Sequence, residues 1–390
     1  MPSVAESWQQ AWASALAAGD YLRALRLVRD AADDREPISY DVVAYLLQAV
    51  GRVEDADAVQ RRRAELERAR GLDALPAALR AAVQQVPRTP PLEARQITLD
   101  EALEILPAAV AEHRVIIVGE EHHHPEHRAF GARLLGRLRT AGVTHLALET
   151  GEQARLDAAR QSGRVTPTTD GFSFEPQRAG LLRSALALDL PIVAFDLDAE
   201  DATWAQSHPE NVMAFRERRM AEHLVDRILG PEPAARAVVW VGYGHAQKID
   251  LGLKMMALHL WEITGEEPFC AYQLSSEGSR PGVDVVIRHP PPRYEHGRPD
   301  WLRVDGHSVC GVLEPPGECL VQLLPSTEGP ASTPTDQLLT EADGAFELLV
   351  PEGDYLLRVW RGEGRPGTTE HLAVTRPIEG LIVRAESVSG

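Results

Sequence analysis

Four stretches of the chain place acidic or imidazole side chains directly after an apolar run. Gly119-Glu-Glu-His-His-His-Pro-Glu-His127 follows Val115-Ile-Ile-Val118, and Glu149 follows Thr144-His-Leu-Ala-Leu148. Asp196 and Asp198 follow Pro191-Ile-Val-Ala-Phe195, and Gly242-Tyr-Gly-His245 follows Ala237-Val-Val-Trp-Val241. Imidazole and carboxylate together suit a divalent transition metal, Zn²⁺, Mn²⁺ or Fe²⁺. A carboxylate not used as a ligand can act as general base toward a metal-bound water. The glycines let the backbone turn sharply where the groups must be aimed.

Each group also has a plain structural reading. A tract such as His122-His123-His124 is often a solvated loop, so one or two of these rings are the candidates rather than all three. A lone histidine in the position of His245 is usually a buried structural one, but Gly-x-x-His directly after an apolar run favours function. Glu149 could neighbour a helix N-cap. Asp196 and Asp198 are weaker candidates, and His145 lies inside an apolar run, as a core or surface residue.

To bring these groups together, the runs must be strands of one sheet. Helical patterns separate them, at about 98–112, 126–141, 177–188, 209–229 and 252–264, and Ala271–Leu274 and Val283–Ile287 continue the apolar series. Thr98-Leu-Asp-Glu101 has the form of a capping box. Strands alternating with helices predict an α/β fold, a mainly parallel sheet with flanking helices. In such a sheet, ligands bind beyond the carboxyl ends of the strands, which is where these acids and imidazoles sit.

The flanks read differently. Residues 1–87 carry apolar positions at helical spacing, among them Trp8, Trp12, Leu16, Leu25, Val28, Val43, Leu46 and Leu47. Their spacing resembles tetratricopeptide helix pairs, and they form either a helical cap or an arm for a protein partner or self-association. Val86-Pro-Arg-Thr-Pro-Pro-Leu92 predicts a linker. Beyond the Gly- and Pro-rich residues 289–300, short strands at 319–324, 345–350, 354–360 and 380–384 predict a small β-sandwich. The expected domains are therefore a helical TPR-like region at 1–90, an α/β domain at 91–295 and a β-sandwich at 300–390.

The 390 residues include 44% hydrophobic and 25% charged ones, as in globular proteins, and the net charge is −18. That surface repels phosphate backbones and anionic membranes, so neither nucleic acid nor membrane is an expected partner. The three cysteines give no disulfide framework, and there is neither a signal-like N-terminus nor a membrane span, so the expected location is cytoplasmic.

The central motifs resemble a known superfamily. Gly119-Glu-x-x-His123 or Gly119-x-x-His122, then Ala147-Leu-Glu149, then Gly242-x-x-His245, look like those of erythromycin esterases, ChaN-like haem-binding proteins and TraB/TIKI-type proteases. Arg216-Glu-Arg-Arg-Met-Ala221 is similar to a segment of ChaN-like members, with Glu217 in place of aspartate. The resemblance covers about 110–275. It implies Glu120 and His123 as a catalytic pair in the esterase pattern. In the TIKI pattern it implies His122, Glu149 and His245 in metal-dependent cleavage. His123 stands where ChaN-like members carry aspartate. Residues 340–355 resemble the carboxypeptidase regulatory-like β-sandwich, which implies an accessory domain without chemistry.

The resulting expectation is a hydrolase of ester or amide bonds in a small-molecule or peptide substrate. Glu120 would activate water, alone or on a metal held by His122 (or His123), Glu149 and His245, with His123 assisting the leaving group. Two other functions compete with it. One is an iron- or haem-binding protein without turnover, and the other is a scaffold that binds partners through its two flanks.

Overall fold

The computed structural model describes residues 4–32, 38–70, 94–209, 211–250, 252–275, 282–295, 298–303, 306–362 and 366–384. The proline-rich linker expected at 86–92 lies outside them. The chain divides into two compact units. One comprises Gly71–Gln161 and Leu181–Pro291; the other comprises Met1–Arg70, Ser162–Gly180 and Pro292–Gly390.

The first unit is the α/β unit. Its sheet contains β1 (Arg95–Ile97), β2 (Val115–Glu120), β3 (His145–Leu148), β4 (Ile192–Ala194), β5 (Ala237–Gly242), β6 (Phe269–Leu274) and β7 (Val285–Arg288). The strand order is β1-β7-β6-β2-β5-β3-β4, and every pairing is parallel. β2, β3 and β5 are buried along their whole length, as continuous apolar runs require when helices cover both faces. The flanking helices include Leu99–Ala109, Pro125–Thr140, Val212–Leu224 and Met256–Thr264. Leu99–Ala109 opens on the expected capping box, Thr98 with Glu101. Val212–Leu224 runs on into a π turn at Val225–Leu229. Helices Gln153–Ser162 and Ala199–Ser207 lie outside the helical patterns read from the sequence, and β1 lies outside its apolar runs.

The second unit joins four helices, Val4–Ala17, Tyr21–Ala31, Ile38–Ala49 and Val53–Arg70, to a β-sandwich. After the short pair β8 (Tyr294–Glu295) and β9 (Arg298–Pro299), the sandwich strands are β10 (His307–Glu314), β11 (Leu320–Pro325), β12 (Asp336–Leu339), β13 (Ala345–Val350), β14 (Gly353–Trp360), β15 (Thr368–Val374) and β16 (Ile378–Arg384). They form two sheets, β13-β10-β16 and β12-β11-β14-β15. Leu46, Leu47 and Tyr21 of the helices share one apolar core with Phe174, Leu320, Leu339 and Trp360. At about 2 kcal/mol for each large side chain buried, that core is a main source of the unit's stability.

Hydrogen bonds stitch the same pieces. Leu339 N donates to Val50 O at 2.8 Å, Gln337 Nε2 to Ala49 O at 2.7 Å, and Tyr21 Oη to Phe174 O at 3.0 Å. Gly51, with φ +76°, turns the chain there, and a β-carbon on it would lie 2.5 Å from Gln337 O. Among the described residues, no helix is long and apolar enough to cross a membrane.

Candidate functional site

Glu120 is the last residue of β2 and pairs in register with Gly242, the last of β5; Leu148, before Glu149, pairs with Trp240. The strand order therefore puts β5 between the two glutamates, and the residue at its tip is a glycine. A β-carbon on Gly242 would lie 2.8 Å from His122 Nε2 and 3.3 Å from Glu149 Oε2. The missing side chain lets groups from β2 and β3 meet across β5.

Glu120 is buried and held on all sides. Its Oε1 accepts from Arg128 Nε at 3.1 Å, from Arg128 Nη2 at 2.9 Å and from His122 Nδ1 at 2.9 Å, and its Oε2 accepts from the Trp240 indole. Arg128 also donates to the His122 carbonyl, fixing the loop. A carboxylate acceptor at Nδ1 requires the proton there, so a neutral His122 keeps its lone pair on Nε2. That nitrogen is 3.7 Å from Glu149 Oε2, too far for a hydrogen bond, and the side chain is 30% exposed.

Glu149 accepts from Gly242 N and from Arg216 Nη2, each at 2.6 Å. Arg216 also grips Asp196, with Nε on Oδ1 at 2.8 Å and Nη2 on Oδ2 at 2.7 Å. His245 Nε2 lies 3.4 Å from Glu149 Oε1, and its Nδ1 sits between the Glu217 oxygens at 2.7 and 2.9 Å. Glu217 is fully buried and accepts from Met256 N at 2.8 Å as well. Burial alone would lower the pKa of His245. The Glu149 charge, then hydrogen bonds to Glu149 and Glu217, outweigh it and push the pKa up to about 10. Burial alone would raise Glu149; the charge and hydrogen bond of His245, then His122 and Arg216, hold it well below the usual carboxylate range.

The structure thus brings Glu120, His122, Glu149 and His245 into one cluster, the Glu120–His122 pair facing the Glu149–His245 pair across 3.7 Å, with Asp196 at its edge. The ring of His123 stands 5.3 Å from that of His124, which stacks on His127 at 5.2 Å. His124 Nδ1 is 2.8 Å from Glu126 Oε1, and Ser275 Oγ bridges Glu126 Oε1 at 2.7 Å and His127 Nε2 at 2.9 Å. Burial lowers His127 well below the normal histidine range and brings neighbouring His289 to about 4. Asp198 caps helix Ala199–Ser207 and binds Arg227 at 3.0 Å. His145 sits at the other end of its strand, bonded to Thr144 Oγ1 at 2.8 Å.

Arg128, Arg216, Glu217 and Trp240 complete the network and were not read as site residues from the sequence. Arg216 and Glu217 stand in a motif quoted above, but their partners could not be read from it. Arg128 looks like one more charge on a helix, and Trp240 like one more core residue.

No family model matches the chain, and no curated protein matches it. Among solved structures it is similar to ChaN of Campylobacter jejuni, which binds haem cofacially. The match has 16% identity and a TM-score of 0.35, over 45% of this chain and 86% of the other. It is similar to the type III effector HopBA1 at 14% identity and a TM-score of 0.32, over 52% of this chain and 97% of that one. A Bacillus cereus protein matches at 13% identity and a TM-score of 0.36, covering 51% of this chain and 75% of its own.

Proposed function

We propose that the α/β unit is a hydrolase of ester or amide bonds that works by general acid–base catalysis, with His122 as the base. The supporting observation is the Glu120–His122 pair. Glu120, fixed by Arg128 and Trp240, orients the ring through Nδ1, and the part-exposed ring turns Nε2 to take a proton from water. Glu120 stabilises the imidazolium as it forms. Water activation, expected of Glu120 from sequence, passes to His122 in this reading, because Glu120 already accepts from Arg128, His122 and Trp240. The cationic His245 and Arg216, lined up behind Glu149, supply positive potential for the developing oxyanion and a proton source for the leaving group.

The same contacts test the metal reading of this quartet. The Glu149 oxygens hold a guanidinium and a backbone amide, and Glu120 holds a guanidinium and an indole. A divalent ion bound through them would sit against two fixed cations, so the quartet fits metal-free chemistry better.

The test is turnover of a panel of small esters, amides and short peptides. His122→Ala and Glu120→Gln should each lower kcat by about 10²–10⁴-fold, the usual worth of a positioned base. Full activity in His122→Ala sinks the proposal. A blank panel, together with a haem absorbance band that survives Glu120→Gln, would favour the haem-binding alternative instead.

A further inference from the structure

A second group of donors stands beside the first network and takes no part in it. His124, Glu126 and His127 each offer a ligand-type atom within 4.8 Å of the others. They come from one stretch, His124-Pro-Glu-His127, at the start of helix Pro125–Thr140. Glu121 closes the group, with Oε2 3.7 Å from His124 Nε2.

Charge sets this group apart. Glu121 and Glu126 are both buried, at 8% exposure. Glu121 meets Ser275 N at 3.3 Å, the Tyr272 hydroxyl at 3.4 Å and His124; Glu126 meets His124 and Ser275. Among the described residues neither carboxylate binds a guanidinium or an ammonium, whereas at the first site each carboxylate of the quartet does. Two buried carboxylates sharing a single part-exposed imidazole call for more positive charge. A divalent cation supplies it, and two imidazoles with one carboxylate are a ligand set that Zn²⁺ and Fe²⁺ take. Asp198, Asp201 and His223 also lie within 4.8 Å of one another, but Arg227 and Arg219 already neutralise the two aspartates at 3.0 and 2.9 Å.

We infer that His124, Glu126 and His127 form a site for one first-row divalent transition-metal ion, Zn²⁺ or Fe²⁺, with Glu121 alongside. The site does not depend on the role given to Glu120 and His122. His127 Nδ1 accepts from Glu121 N at 3.1 Å, so in the free protein the ring proton is on Nε2, directed at Ser275 Oγ. For the neutral ring to bind the ion through Nε2, its proton moves to Nδ1, and the Glu121 amide contact is given up.

The experiment strips the full-length protein with a chelator and titrates it with Zn²⁺ and with Co²⁺, whose visible bands report nitrogen and oxygen ligation. One equivalent should bind. His124→Ala and the isosteric Glu126→Gln should weaken binding by about 100-fold or more, with unchanged far-UV circular dichroism, while His122→Ala and Glu149→Gln keep the ion. Three results overturn the site: no uptake at micromolar ion, wild-type uptake in both ligand variants, or loss of the ion in His122→Ala or Glu149→Gln. Ester turnover measured on the same preparations judges the hydrolase reading separately.

Discussion

His245 and Glu149 form one buried ion pair, and their opposite pKa shifts describe the same interaction seen from its two ends. The folded-state pKa of His245, about 10, lies above the ordinary histidine value of 6.5. Its stabilising contribution is therefore complete below about pH 6.5 and lost as pH rises toward 10. Over that window the pair's share of stability should fall by up to about 1.4 kcal/mol per pH unit. Chemical denaturation of wild type against His245→Gln checks this, and the variant should show a flatter alkaline arm. On the acid side Glu149, held low, contributes fully above about pH 4.5 and loses that contribution progressively as pH falls below it. The acids and imidazoles of this network were legible because each follows an apolar run. Their guanidinium partners were not, since a helix that aims one arginine inward carries others outward, such as Arg218 beside Arg216.

Two glycines set the distances between elements. Gly131 lies on helix Pro125–Thr140, and a β-carbon there would meet the Trp240 ring at 2.4 Å. That close approach lets the indole reach Glu120. Gly131→Ala should cost about 1–3 kcal/mol by overpacking and shift the tryptophan fluorescence. Gly242→Ala acts on the site instead. Its φ of −58° and ψ of 142° suit alanine, so thermal stability should hold while the new methyl displaces His122. Hydrolytic activity is expected to drop at least tenfold, which a rate assay beside a melting curve will show. The strands β2, β3 and β5 were legible as unbroken apolar runs. β4 was legible in the same way, inside the run Pro191–Phe195, whereas β1, three residues at the sheet edge, is too short to show a period.

At the scale of the whole molecule, the helices of residues 4–70 and the β-sandwich hold one core in common. Helical periodicity announced apolar faces on the N-terminal segment but not what covers them. Nothing local announced that residues 162–180 leave the α/β unit to join that core, because the partners lie far apart in the chain: Thr333 Oγ1 binds Ser173 O at 2.8 Å, and Val165 N binds Glu328 Oε2 at 3.0 Å. Leu46→Ala, at a fully buried position, should cost about 2–5 kcal/mol. Because Trp360 shares its core, the loss should appear in the unfolding of the strands as well as of the helices, in near-ultraviolet as well as far-ultraviolet dichroism.

A unit assembled from three separated lengths of chain has a history in synthesis. The helices leave the ribosome before the sandwich, yet the residues that cover Leu25, Leu46 and Leu47 include Leu320, Leu339 and Trp360, which are translated long after them. Until those residues emerge, the greasy sides of the helices face water or a chaperone, while the parallel sheet between them in the chain can already close. The helices of residues 4–70 are thus made before the sheet but reach their final state after it.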